Sequence, residues 1–196
     1  MFKLGLTGSI GMGKSTTAQM FADHGCAVWD ADATVHKLYS QGGAAVEVFK
    51  GAFPSTVIDG AVSRAALKKM IEDDPKTLIS IERIVHPLVR QDREAFLTNS
   101  DSSVVVLDIP LLFETKSEHN FDAVACVFVS EIEQRRRVID RGTMSAVQFE
   151  VILAKQMPIE EKLKLADYRI ETDSLDHARS QVTAILEDIE SKQRHA

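Results

Sequence analysis

Cysteine, excess positive charge and long apolar runs are what this 196-residue chain has little of. Its two cysteines, Cys26 and Cys126, sit far apart in apolar contexts. A disulfide framework or a metal site needs closer spacing and more ligands, so both read as buried thiols. Acids outnumber bases, 29 against 23, and the formal net charge is -6. A nucleic-acid binder needs a basic face, so nucleic acid is excluded as the expected main partner. A few locally concentrated cations still suffice for a phosphorylated small molecule. No run approaches the ~20 apolar residues that cross a bilayer. The start, Met1-Phe2-Lys3-Leu4, enters a strand-like run without the features of a signal peptide. The expectation is a cytoplasmic protein with no membrane partner. Internal repeats and low-complexity segments are absent too.

What remains is an ordinary globular composition, 44% apolar and 27% charged. The length fits one domain with a sizeable core, with room for lobes. Phe2 to Thr7 reads as a short buried strand, followed by a glycine-rich turn and a helix from about Lys14 to His24. Ala27 to Asp30 reads as a second strand, which makes a βαβ start and predicts a parallel sheet in an α/β fold. From about Ala33 to Thr98 the periodicity is helical and no strand is expected. Gly42-Gly43, Gly51, Pro54, Asp59-Gly60 and Pro75 are read as its breaks. Within it, His86-Pro87 predicts that one helix ends near Val85 and another starts at Pro87. Val104 to Leu107 and Ala123 to Val129 read as central strands. Helices are expected over Ile132 to Arg141 and Ser145 to Lys155, joined at Gly142. A last strand is expected over Tyr168 to Glu171, and a closing helix from about Leu175 to Lys192.

The run from Gly8 to Ser15, Gly-Ser-Ile-Gly-Met-Gly-Lys-Ser, fits G-x-x-x-x-G-K-S/T at every defined position. Its glycines let backbone N–H groups curl around phosphate oxygens with no Cβ in the way. Lys14 supplies a point charge for the transferring phosphoryl group, and the Ser15 hydroxyl suits magnesium. The helix that begins there adds its positive end. A predicted strand before the loop and a predicted helix after it are the context this motif requires. ATP and Mg2+ are therefore the expected co-substrate and ion. Val104 to Asp108 supplies the companion pattern, an apolar strand ending in an acid that can hold magnesium.

Asp32, in Asp30-Ala31-Asp32, lies just past the second strand, where ligands gather in open α/β sheets. Its carboxylate can either orient an attacking hydroxyl or cap the next helix. Arg137 and Arg141 are four apart on one predicted helix and suit phosphate oxygens. A helical hairpin jointed at Gly142 would exclude water from the donor. Arg135 and Arg136 read instead as a solvated face paired with Glu131, Glu133 and Asp140. His86 either packs or contacts substrate, and Glu114 is a further candidate beyond the strand that ends at Asp108.

In order and spacing these pieces resemble the dephospho-coenzyme A kinase family over nearly the full length. The resemblance rests on Gly5 to Ser15; Asp30-Ala31-Asp32; Arg64 with Leu67; Glu82 with His86-Pro87; Pro110-Leu111-Leu112 with Glu114; Gln134, Arg137 and Arg141; and Gln156 with Glu161-Lys162 and Ala166-Asp167. It implies a P-loop kinase fold with a five-stranded parallel sheet flanked by helices. It also implies a helical coenzyme-binding lobe at about 33–100 and a lid at about 131–160, around a core of about 1–32, 101–130 and 165–196. The implied reaction moves the γ-phosphate of ATP to the ribose 3′-hydroxyl of dephospho-CoA, the last step of coenzyme A synthesis. The implied catalytic residues are Asp32 as base, Lys14 and the lid arginine Arg141. ATP would be bound by Gly8, Gly11, Met12, Gly13, Lys14, Ser15, Thr16 and Arg137. Asp32, His86, Pro110, Leu111 and Glu114 would face the acceptor, and Ser15 and Asp108 the magnesium. Glu171 to Ser174 and Gly142-Thr143 depart from the pattern common in the family.

Two other readings share parts of this pattern. A nucleoside monophosphate kinase has the loop and the lid, but no reason to carry Asp30-Ala31-Asp32 with His86-Pro87. A guanine-nucleotide switch usually carries Asn-Lys-x-Asp, and no such segment occurs.

Overall fold

The first apolar run forms β1 (Phe2–Gly8) in the computed structural model, which describes residues 1–194. After the glycine-rich turn come α1 (Lys14–Asp23) and β2 (Ala27–Asp30). Then follow α2 (Ala31–Tyr39), α3 (Val46–Ala52), the two-residue strands β3 (Val57–Ile58) and β4 (Ala61–Val62), α4 (Arg64–Asp73) and α5 (Thr77–Asn99). The chain returns through β5 (Val104–Asp108) and β6 (Ala123–Phe128), then α6 (Glu131–Asp140), α7 (Ala146–Leu153) and α8 (Ile159–Leu165). β7 (Tyr168–Glu171) and α9 (Leu175–Arg194) close it. The chain divides into two compact units: Met1–Trp29 with the chain from Ser100 onward, and Asp30–Asn99.

In the first unit the strands form one parallel sheet in the order β2-β5-β1-β6-β7. Strands buried on both faces read as unbroken apolar runs, and every residue of β5 is buried. Alternation still decides which side each residue serves. Leu4, Leu6, Val106, Ala125 and Val127 pack with Phe21 of α1 and with Ala178, Val182, Ile185 and Ile189 of α9. Those four α9 positions recur at spacings of three and four, one helical stripe. Val124 faces the other way, into a smaller cluster with Leu112 and Phe113 that also takes Met157 and Ala166. Helix α8 packs against β6. It was not expected from the sequence, because Ile159 to Leu165 is short and mostly charged. Cys126 is fully buried and Cys26 half-buried, both as free thiols, and burial pushes the Cys126 thiol up to about 12. Among the described residues, no helix is long and apolar enough to cross a membrane.

The second unit has its own core of Leu38, Tyr39, Val46, Phe49, Leu67, Ile81 and Val85. The Tyr39 and Phe49 rings meet edge to face at 5.5 Å. Two expectations fail here. The block is not free of strands: β3 and β4 pair antiparallel across Asp59-Gly60. Both turn residues have positive φ, 50° and 77°, the backbone that a two-residue hairpin requires. The dipeptide that reads as a helix break is therefore a hairpin turn. The helix also does not break at His86-Pro87, since α5 runs on with Pro87 inside it. Proline costs a helix one N–H donor and a close carbonyl contact. Ile81 and Val85 before it are buried in the core, with Ile84, Leu88 and Val89 packed against the same cluster. Burial on both sides of the proline holds the axis together at that cost.

Candidate active site

Gly8 ends β1 against β6, where an added Cβ would strike the Val127 side chain. The turn closes through Met12 N–H donating to the Ser9 carbonyl at 3.2 Å. Gly11 and Gly13 have φ of 78° and 87°, a left-handed backbone that side chains rarely adopt. Gly13 is also the N-cap of α1, so the loop feeds directly into the helix start. Thr16 and Ser15 are exposed in that first turn, while Thr17 is buried.

Lys14 forms an ion pair with Asp108, the last residue of β5, which is 1% exposed. Strand register explains the meeting: Leu6 of β1 stands opposite Asp108. The expected phosphate-side lysine and metal-side acid are thus neighbours at the carboxyl edge of the sheet.

Asp30 caps α2, its Oδ1 accepting from Ala33 N–H at 2.9 Å. Asp32 is not the cap; it is exposed in the helix's first turn. The capping alternative therefore goes to its neighbour. His86 is exposed on α5 of the same unit.

Beside α6, a cavity of about 410 Å3 is lined by Gly13, Thr16, Arg137, Arg141, Thr172 and Asp173, among others. It gathers the phosphate loop's helix start, both candidate arginines and the turn from Thr172 to Ser174 after β7. Arg137 spends three of its N–H donors locally. Nε donates to Glu133 at 2.8 Å, Nη1 to the Thr172 hydroxyl at 3.1 Å and Nη2 to the Thr172 carbonyl at 2.6 Å. The Thr172 hydroxyl in turn donates to the Met12 carbonyl at 2.9 Å. Hydrogen bonds from Arg136 and Arg137 hold the Glu133 carboxyl at about 2, far below the usual carboxylate range. Arg136 also meets Asp140, as the surface reading expects. Arg135 differs: it pairs with Glu150 of α7, across the helical hairpin. At the rim, Asp173 and His177 form a 2.8 Å pair that keeps the Asp173 carboxyl low.

Beyond β5, the Pro110 carbonyl accepts from the Thr7 hydroxyl at 3.1 Å and from Lys162 Nζ at 3.4 Å. Lys162 is wholly buried and pairs with Glu114 at 2.7 Å. Glu114 also accepts from Met157 N–H at 2.9 Å. One Glu114 oxygen is thus committed inside the protein, while Leu111 is an exposed apolar side chain. Glu133 pairs with Arg136 as expected, but its second pair, with Arg137, and the parts played by Thr172 and Lys162 were not anticipated from the sequence. A buried lysine looks like any other in a charged helix, and Thr172 has no motif of its own.

A family model described as dephospho-CoA kinase matches residues 2–177. A dephospho-CoA kinase of Ruegeria pomeroyi is 59% identical over 195 residues, covering 100% of this chain and 99% of that protein. One of Cereibacter sphaeroides is 51% identical, covering 96% and 95%. A Thermus thermophilus crystal structure superposes with a TM-score of 0.86 at 32% identity, covering 95% of this chain and 97% of that one. A shikimate kinase of Bacteroides thetaiotaomicron shares the fold alone, with a TM-score of 0.51 at 12% identity. A phosphate loop with its lysine and acid in place, matched from end to end by relatives of one kind, makes this chain a member of the dephospho-CoA kinase family.

Proposed function

We propose that this protein transfers the γ-phosphoryl group of ATP to the ribose 3′-hydroxyl of dephospho-CoA, yielding coenzyme A and ADP. The observation that carries the reading is the phosphate loop. Left-handed Gly11 and Gly13 shape a backbone cradle that opens α1, with Lys14 and Asp108 paired beside it. In the transfer, the acceptor oxygen attacks the γ-phosphorus, the bond to the β–γ bridging oxygen breaks and ADP leaves. Asp32 orients the hydroxyl and takes its proton. Lys14 meets charge on the phosphoryl oxygens, and Arg141, lining the cavity at the end of α6, adds to it. Gly8 and the backbone from Gly11 to Thr16 hold the phosphates, with Arg137 steadying the loop at Thr172 beside them. His86, Pro110, Leu111 and Glu114 serve the acceptor side, Glu114 through the segment it anchors. Residues 33–100 form the acceptor lobe and 131–160 the lid. The reaction belongs in the cytoplasm, where ATP is at hand.

Magnesium, when bound, neutralises charge shared by the β- and γ-phosphates. The Ser15 hydroxyl and the Asp108 carboxylate are hard oxygen donors of the kind this ion takes, and so fit it.

The test is direct. Purified protein with ATP and dephospho-CoA should yield a product with the mass of coenzyme A, and nucleoside monophosphates should not be phosphorylated. Asp32→Asn should lower turnover roughly a hundredfold or more while ATP binding survives. Near-normal turnover in that variant removes Asp32 from the mechanism.

A further inference from the structure

The tip of the phosphate loop is gripped from outside, on both polar groups of one residue. Ile10 N–H donates to Gln156 Oε1 at 3.0 Å. The Ile10 carbonyl accepts from Gln134 Nε2 at 2.7 Å. The polarity needs no choice of amide orientation, because a backbone N–H only donates and a carbonyl only accepts. Gln156 must therefore present its oxygen and Gln134 its NH2.

The two glutamines come from opposite ends of one hairpin. Gln134 is buried in α6, 3% exposed, and Gln156 follows the end of α7. Each has support behind it. Val138 of α6 packs where a Cβ on Gly11 would lie, so the helix rests on the loop itself. Met157, next to Gln156, is tied through its N–H to Glu114, and Glu114 to buried Lys162. The second face of α6 is fastened as well, through Arg137, Thr172 and the Met12 carbonyl. Ile10 and Met12 flank Gly11, and all three precede the lysine that meets the phosphoryl group.

We propose that Gln134 and Gln156 are positioning residues for phosphoryl transfer, a two-glutamine clamp that sets the phosphate loop's backbone from the base of the lid hairpin. The clamp fixes where the N–H groups after Ile10 point, which is the geometry on which charge stabilisation depends. It also makes loop geometry depend on the hairpin's placement. The inference rests on the kinase reading above.

The experiment uses the asymmetry of the two amides in the full-length protein. Gln134→Met and Gln156→Met keep length and remove the polar group. Each should raise hydrogen exchange at the loop amides and lower kcat/KM about tenfold or more, with kcat carrying part of the loss. Their melting temperatures should stay near that of the parent. Gln156→Glu keeps an acceptor for Ile10 N–H and should retain slow exchange there. Gln134→Glu sets a carboxylate against a carbonyl and should lose it. Parental exchange and parental kcat in both Met variants overturn the clamp, as does equal behaviour of the two Glu variants. If one Met variant fails to fold, the Glu pair still decides by exchange alone. Exchange is read without any acceptor, so failure to phosphorylate dephospho-CoA would sink the kinase reading and leave the clamp to be judged separately.

Discussion

Lys162 shows how much one residue's role depends on what lies around it. It is fully buried, and its charge is met by Glu114 at 2.7 Å and by the Pro110 carbonyl. Removing one partner of such a pair leaves the other charge uncompensated, at a cost of about 3–5 kcal/mol. Glu114 keeps some exposure, its side chain being 17% accessible, so the lower end applies. Lys162→Met should therefore destabilise the protein by roughly 3 kcal/mol, read as a lower urea midpoint at unchanged slope. It should also loosen Met157, and with it the Gln156 side of the clamp. At this scale the sequence was uneven. The loop's glycines and Lys14 announced themselves, because their chemistry needs fixed spacing. Lys162 and Thr172 did not, because their partners are distant in the chain: Glu114 for Lys162, and Met12 and Arg137 for Thr172.

At the scale of elements, the instructive case is α5. A proline in a helix interior costs about 3 kcal/mol, and the sequence read as a break. The helix persists because Ile81 and Val85 anchor one side while Leu88 and Val89 pack on the other. Pro87 is exposed, so its replacement disturbs no core. Pro87→Ala should restore the missing donor and raise stability by about 1–3 kcal/mol, measured by urea unfolding. A fall in stability would mean that the proline relieves strain rather than tolerating it. The hairpin of β3 and β4 is the opposite lesson. Asp59-Gly60 carried the right turn chemistry, but two-residue strands leave no alternating pattern to read around it. Helices α6 and α7 were legible as two helical runs joined at Gly142, whose φ is 65°, and Ser130 and Ser145 cap them.

For the molecule as a whole, the division into two units with separate cores has a measurable consequence. Phe49 is fully buried in the second unit and touches both Tyr39 and Phe53. Phe49→Ala should cost about 3–5 kcal/mol there. The expected outcome is faster hydrogen exchange across 30–99, with ATP still bound by the loop and with phosphorylation of dephospho-CoA impaired. Equal loss of protection in both units would show that they unfold as one.

By itself the sequence determined the parallel α/β core, the phosphate loop and the likeness to one kinase family. Those features depend on local chemistry: apolar runs, glycine at left-handed positions, and a lysine at fixed spacing. Tertiary structure alone decided that Asp108 faces Lys14, that Arg137 is bound to Thr172, that Pro87 lies within a helix, and that two glutamines hold Ile10. Each of these joins residues far apart in the chain or sets packing against local preference, and such contacts exist only once the elements have met.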